Sequence, residues 1–136
     1  MNRRILIGYQ LAIGLSDTIT GVLLMIAPEF TLSLMRLHAP ADAFPYLSFI
    51  GSFVLSVGLS CLYGAWLMLR RGNPCKLEIV WLLTAFTRAS VAVFVGTQIL
   101  ARTLEPGWLT VALSDGACVL IQAIGLRKGW LENVAG

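Results

Sequence analysis

Arg88 stands within TAFTRASVAVF, residues 84–94, and no other charged residue occurs from Ile79 to Ala101. Asp17 and Asp115 are similarly isolated in apolar stretches, and each closes a Leu-Ser-Asp triplet. Arginine stays protonated in proteins, and its planar fork of donors can serve two carboxylates. One guanidinium and two carboxylates sum to minus one when all are ionised. The remainder calls for a proton, a cation or a cationic group, which is the strongest chemical signal in the chain. Gln10 lies seven residues before Asp17, and Gln122 seven after Asp115. Seven residues is close to two helical turns, so each glutamine shares its aspartate's face.

Other chemistries lack their residues. There is no phosphate-binding Walker loop, no GxGxxG, no HExxH and no Ser/His/Asp set. No cofactor is therefore called for. Cys61, Cys75 and Cys118 form neither C-x-x-C nor a metal spacing. Cys61 and Cys118 lie in apolar segments, where free cysteine usually acts as a small hydrophobe. A thiol-redox enzyme is not expected, and the lone His38 reads as incidental. The net charge of +3 is split among separate clusters with no continuous basic face, which argues against nucleic acid as a partner.

The elements that must position these residues are legible from composition. The chain has 136 residues, 57% hydrophobic and 12% charged, with a mean hydropathy of +0.81. A soluble domain carries about a quarter charged residues, so lipid is the expected solvent. Four segments reach the roughly 20 apolar residues a membrane span needs: 5–27, 46–69, 79–101 and 108–126. Barrel strands would alternate in polarity, which these segments do not. The expected fold is all-α: an integral membrane bundle of four transmembrane helices in a single domain over 1–136. The basic start of Met1–Ala27 suggests a signal peptide. Its apolar run is too long, contains Asp17 and lacks an A-x-A site, so it is expected to remain as the first helix.

Orientation follows from the flanking basic residues. Arg3, Arg4, Arg70, Arg71, Lys76, Arg127 and Lys128 fall on one side, and only Arg36 and Arg102 on the other. Both termini should be cytoplasmic, in a bacterial inner membrane. Trp66, Trp81 and Trp130 would then lie near the inner interface and Trp108 near the outer one. The long loop Pro28–Phe44 repeats Phe30, Leu34 and Leu37 at helical spacing. It reads either as a short interfacial helix over 29–38 or as an extension of the first span.

Depth joins the charges. At about 1.5 Å per residue, Arg88 lies roughly 14 Å from the inner end of its span, Asp17 roughly 18 Å and Asp115 roughly 17 Å. All three meet near the midplane, where one charge costs about 2.5–3.5 kcal/mol on insertion scales. Pairing inside the bundle is the cheaper arrangement. Both glutamines then fall on the cytoplasmic side of the carboxylates, as a polar track. On the second span, Ser48, Ser52, Ser56, Ser60 and Gly64 recur every four residues. Such a row of small residues is expected to be a helix-packing stripe, within the bundle or between copies.

The stretch GVLLMIAPEFTLSLMRLHAP, 21–40, is an apolar helix that ends at a Pro-acidic pair and leads through a Leu-rich turn to a second proline. It resembles the end of the first helix in DoxX-like small membrane proteins. Four helices and a Gly/Ser-rich second helix are similar too, mainly over residues 21–60. The resemblance implies a small four-helix membrane protein and transfers no functional residue.

Three functions fit these residues. The first is binding or transport of a small lipophilic or cationic molecule, proton-linked, with Asp17, Arg88, Asp115, Gln10 and Gln122 as the binding or relay residues. So few helices would favour a homo-oligomer. The second is a membrane enzyme acting on a lipid or isoprenoid by carboxyl acid/base chemistry, with Arg88 stabilising developing negative charge. The third is a non-catalytic subunit of a larger membrane complex. Charge pairing alone also serves to hold helices together.

Overall fold

The structure, a computed structural model, describes residues 2–132. Its elements are α1 (Arg3–Ile26), α2 (Pro28–Leu34), α3 (Phe44–Leu69), α4 (Pro74–Leu100) and α5 (Leu109–Arg127). Short 3-10 turns at Ala41–Ala43 and Pro106–Trp108 lead into α3 and α5. Four helices, α1, α3, α4 and α5, are long and apolar enough to cross a membrane. Among the described residues no strand forms.

The helix ends follow local chemistry. Asn2 opens α1 by accepting from the Arg4 backbone N–H at 3.1 Å, and Asn73 opens α4 by accepting from that of Cys75 at 2.9 Å. Pro74 follows Asn73 at the first helical position, where its missing N–H costs nothing. That start lies five residues before Ile79, where the apolar run begins, because capping rather than hydropathy sets it. Ala27, at φ −146°, leaves the helical region because Pro28 crowds the residue before it. The chain then restarts as a separate short helix, α2.

Three helices stop in the same way. Arg36, Arg71 and Arg102 adopt positive φ values of 55°, 50° and 59°. The following residue reaches back five positions: Leu37 to the Leu32 carbonyl at 2.9 Å, Gly72 to Leu67 at 2.8 Å and Thr103 to Gln98 at 3.0 Å. This is the Schellman closure, here built on arginine where glycine is usual. A cation there faces the negative end of the helix dipole.

Packing divides the bundle into two close antiparallel pairs, α1 on α3 and α4 on α5, joined mainly through α3 and α4. The backbones of α1 and α5 barely approach each other. Glycine lets α1 and α3 come together. A Cβ at Gly21 would lie 2.5 Å from the Leu55 backbone nitrogen, and one at Gly58 would lie 2.5 Å from that of Thr18. The small-residue row of α3 divides around this seam. Gly64 is buried against the Gln10 amide. Ser48, Ser52 and Ser60 are half-buried and Ser56 is exposed. The Ser52, Ser56 and Ser60 hydroxyls donate to carbonyls of their own helix. The face of α3 that meets α1 is therefore the glycine face, beside the serine row.

Two apolar clusters hold the ends. Leu6, Met68, Leu77, Trp81 and Leu131, none more than 3% exposed, close the end that carries both chain termini. Trp81 is fully buried, edge-on to Tyr9 at 6.2 Å between ring centroids. It fits because α5 offers Gly125, where a Cβ would lie 2.5 Å from the indole. At the other end Leu32, Leu37 and Leu47 pack with Phe44 and Trp108, tying α2 to the α4–α5 connection.

Candidate functional site

Between the two clusters lies a layer of polar side chains contributed by all four long helices. Arg88 projects from α4, 5% exposed. Its Nη1 donates to Asp115 Oδ1 on α5 at 2.6 Å, and its Nη2 donates to Asp17 Oδ2 on α1. The three charges placed at one depth by residue counting therefore meet as a single ion-paired group. The order Asp17–Arg88–Asp115 matches the fork geometry of a guanidinium, whose two amino groups can each face a different carboxylate.

The group is not sealed. The Asp17 and Asp115 side chains keep 21% and 15% of their surface, against 6% for Arg88. The second oxygen of each carboxylate, Asp17 Oδ1 and Asp115 Oδ2, accepts no hydrogen bond from any described residue. With all three side chains ionised the charge sum is minus one, and the unmatched oxygens belong to the two part-exposed carboxylates. The Asp17–Arg88 hydrogen bond also ties α1 to the α4–α5 pair.

The glutamines lie on the termini side of this layer. Gln122, 1% exposed, donates through Nε2 to Thr84 Oγ1 at 2.8 Å, while Thr84 donates on to the Val80 carbonyl. Gln10 is equally buried, and its Nε2 has no hydrogen-bond partner among the described residues. Gln122 Oε1, Trp81 Nε1 and Arg88 Nε share that condition. Native interiors leave few such atoms unpaired, and they cluster where a structure does something other than pack.

Four residues beside the charges escaped the sequence reading. Thr84 sits one turn from Arg88 on its face, and it joins the network through Gln122. Cys61 of α3 lies beside the guanidinium, and Cys118 of α5 lies beside the Tyr9 hydroxyl. Taking cysteine in an apolar helix as a small hydrophobe hid Cys61 and Cys118. A signal was present: Cys118 is one turn from Asp115, and Cys61 lies roughly 12 Å from the end of its helix, near the depth of Arg88. No group of three or more metal-ligating side chains forms among the described residues. The nearby pairing of polar groups is therefore one of ion pairs, amides and thiols.

No family model, no curated protein and no solved structure matches the chain.

Proposed function

We propose that this is an integral membrane protein with both termini in the cytoplasm, which binds a small lipophilic monocation at the Asp17–Arg88–Asp115 layer. One observation carries the reading: a single guanidinium holds two carboxylates that both remain part-exposed and each keep an unbonded oxygen. A monocation placed against those oxygens completes the charge balance, and its N–H groups supply the missing donors. In the hydrocarbon interior an unbalanced charge is costly, so neutralisation favours binding. A proton performs the same neutralisation when the ligand is absent. Ligand and proton then compete, and binding weakens as pH falls.

The test is direct. The purified protein in nanodiscs is titrated with 2-phenylethylammonium and with 2-phenylethanol, which keeps the hydrocarbon and removes the charge. The amine should bind and the alcohol should not. Asp17→Asn leaves Arg88 and Asp115 as a neutral pair, so amine affinity should fall at least tenfold, about 1.4 kcal/mol. Equal binding of amine and alcohol, or undiminished amine binding by Asp17→Asn, would refute the proposal.

A second reading has its own observation. Since the Asp17–Arg88 hydrogen bond joins α1 to the α4–α5 pair, the layer also serves as a clip between the two helix pairs. Loss of fold without any amine binding by the native protein would leave the clip as the whole function.

A further inference from the structure

The two halves of the bundle, above and below Arg88, are packed differently. Toward the termini every long helix contributes buried residues: Leu6 and Gln10, then Cys61, Gly64, Ala65 and Met68, then Leu77, Trp81 and Thr84, and on α5 Cys118, Gln122 and Gly125. Toward α2, no residue of α5 from Leu109 to Ala117 is buried, and on α4 beyond Arg88 only Val95 is. The buried positions of α1 in that half, Gly21 and Leu24, are set against α3. The end of this looser half is covered, because Leu37 of the α2 connection packs with Trp108 and close against Gly107.

Resting on the binding reading above, we propose that the ligand reaches the carboxylates sideways from the bilayer. It would pass between α1 and α5 in the half nearer α2, and its hydrocarbon body would remain in that opening. The termini-side half is a plug built around Trp81, and the covered far end blocks an axial path from water. What is left is the gap between two helices whose backbones barely approach each other, beside the exposed faces of the two aspartates. This selects the ligand class: a compact amine on a hydrocarbon body, which partitions into lipid, rather than a hydrophilic cation arriving from either aqueous side. Thr20, three residues beyond Asp17, and Val111, four before Asp115, continue the aspartates' faces along the two sides of the gap.

The test ties the gap shut. Thr20→Cys and Val111→Cys are combined in a chain carrying Cys75→Ala, which removes the one exposed native thiol. They are then bridged in nanodiscs with a short bis-methanethiosulfonate, and intramolecular bridging is checked by mass. Association of 2-phenylethylammonium is followed by stopped-flow tryptophan fluorescence. Bridging should slow association at least tenfold, and dithiothreitol should restore it. Ethylammonium, which lacks the hydrocarbon body, should bind at least tenfold more weakly to the unbridged protein. An unchanged association rate in the bridged protein, with equilibrium binding intact, would overturn the lateral route and leave the binding site standing. Tight binding of ethylammonium would likewise overturn it. Absence of amine binding to the unbridged native chain would instead overturn the site itself.

Discussion

Replacing Arg88 by leucine leaves Asp17 and Asp115 facing each other without the guanidinium that both now bond. Removing one partner of a buried ion pair costs about 3–5 kcal/mol, because the remaining charge stays desolvated. Asp17→Asn is milder. It keeps a carbonyl acceptor for Nη2 and leaves the Arg88–Asp115 pair intact, so a loss of about 1 kcal/mol is expected. The double variant strands one carboxylate rather than two. It should therefore be more stable than the sum of the singles predicts, by at least about 0.5 kcal/mol. Denaturant unfolding of the three variants in mixed micelles measures this, and strict additivity would show that the three side chains do not act together. At this scale much was visible in the sequence. An isolated charge in a span of apolar residues must find a partner, and equal depth singled out the three that pair. Tyr9, Cys61 and Cys118 stayed hidden because their chemistry is ambiguous in an apolar helix: each packs as readily as it bonds.

At the scale of the elements, the seam between α1 and α3 depends on absent side chains. Gly58→Leu would drive a side chain into the backbone at Thr18, with Asp17 directly beside it. We expect a loss of about 1–3 kcal/mol from overpacking, together with weakened amine binding as Asp17 is displaced. Ser56→Leu, on the exposed part of the same helix, should change unfolding of the single chain by no more than about 0.5 kcal/mol. If Ser56→Leu nevertheless abolishes cross-linking between copies in membranes, the serine row is the face on which copies meet. The helix stops allow an opposite prediction. Arg102 holds a left-handed backbone conformation that costs an L-residue about 1–2 kcal/mol. Arg102→Gly should therefore raise stability by up to about 1 kcal/mol, less whatever the cation contributes at the helix end. A fall in the unfolding midpoint would mean that the charge outweighs the backbone strain.

For the whole molecule, four long helices put both ends of the described chain on one side, where Leu6 and Leu131 share a cluster. The basic flanks predict that this side faces the cytoplasm. Reporter tags fused at either terminus should report a cytoplasmic location, and one inserted within 39–42 an external one. An external terminus would reverse the orientation and with it the leaflet from which the ligand is proposed to enter.

Sequence alone determined that the chain is helical, how many helices are long and apolar enough to cross a membrane, and that its three isolated charges share a depth. Those properties depend on hydropathy, length and rise per residue, all of which are local. Tertiary structure decided which face of each helix turns inward. In a helix apolar all round, hydropathy does not distinguish core from lipid, since hydrocarbon surrounds the helix on either side. Only the polar residues mark an interior, so Asp17, Arg88, Asp115 and the glutamines could be placed. The choice of the glycine face over the serine row on α3, the burial of Trp81 against Gly125, and the sparse backbone approach of α1 to α5 could not. They depend on how the four helices fit against each other, and steric fit between distant segments leaves no periodic trace in the residues of either one.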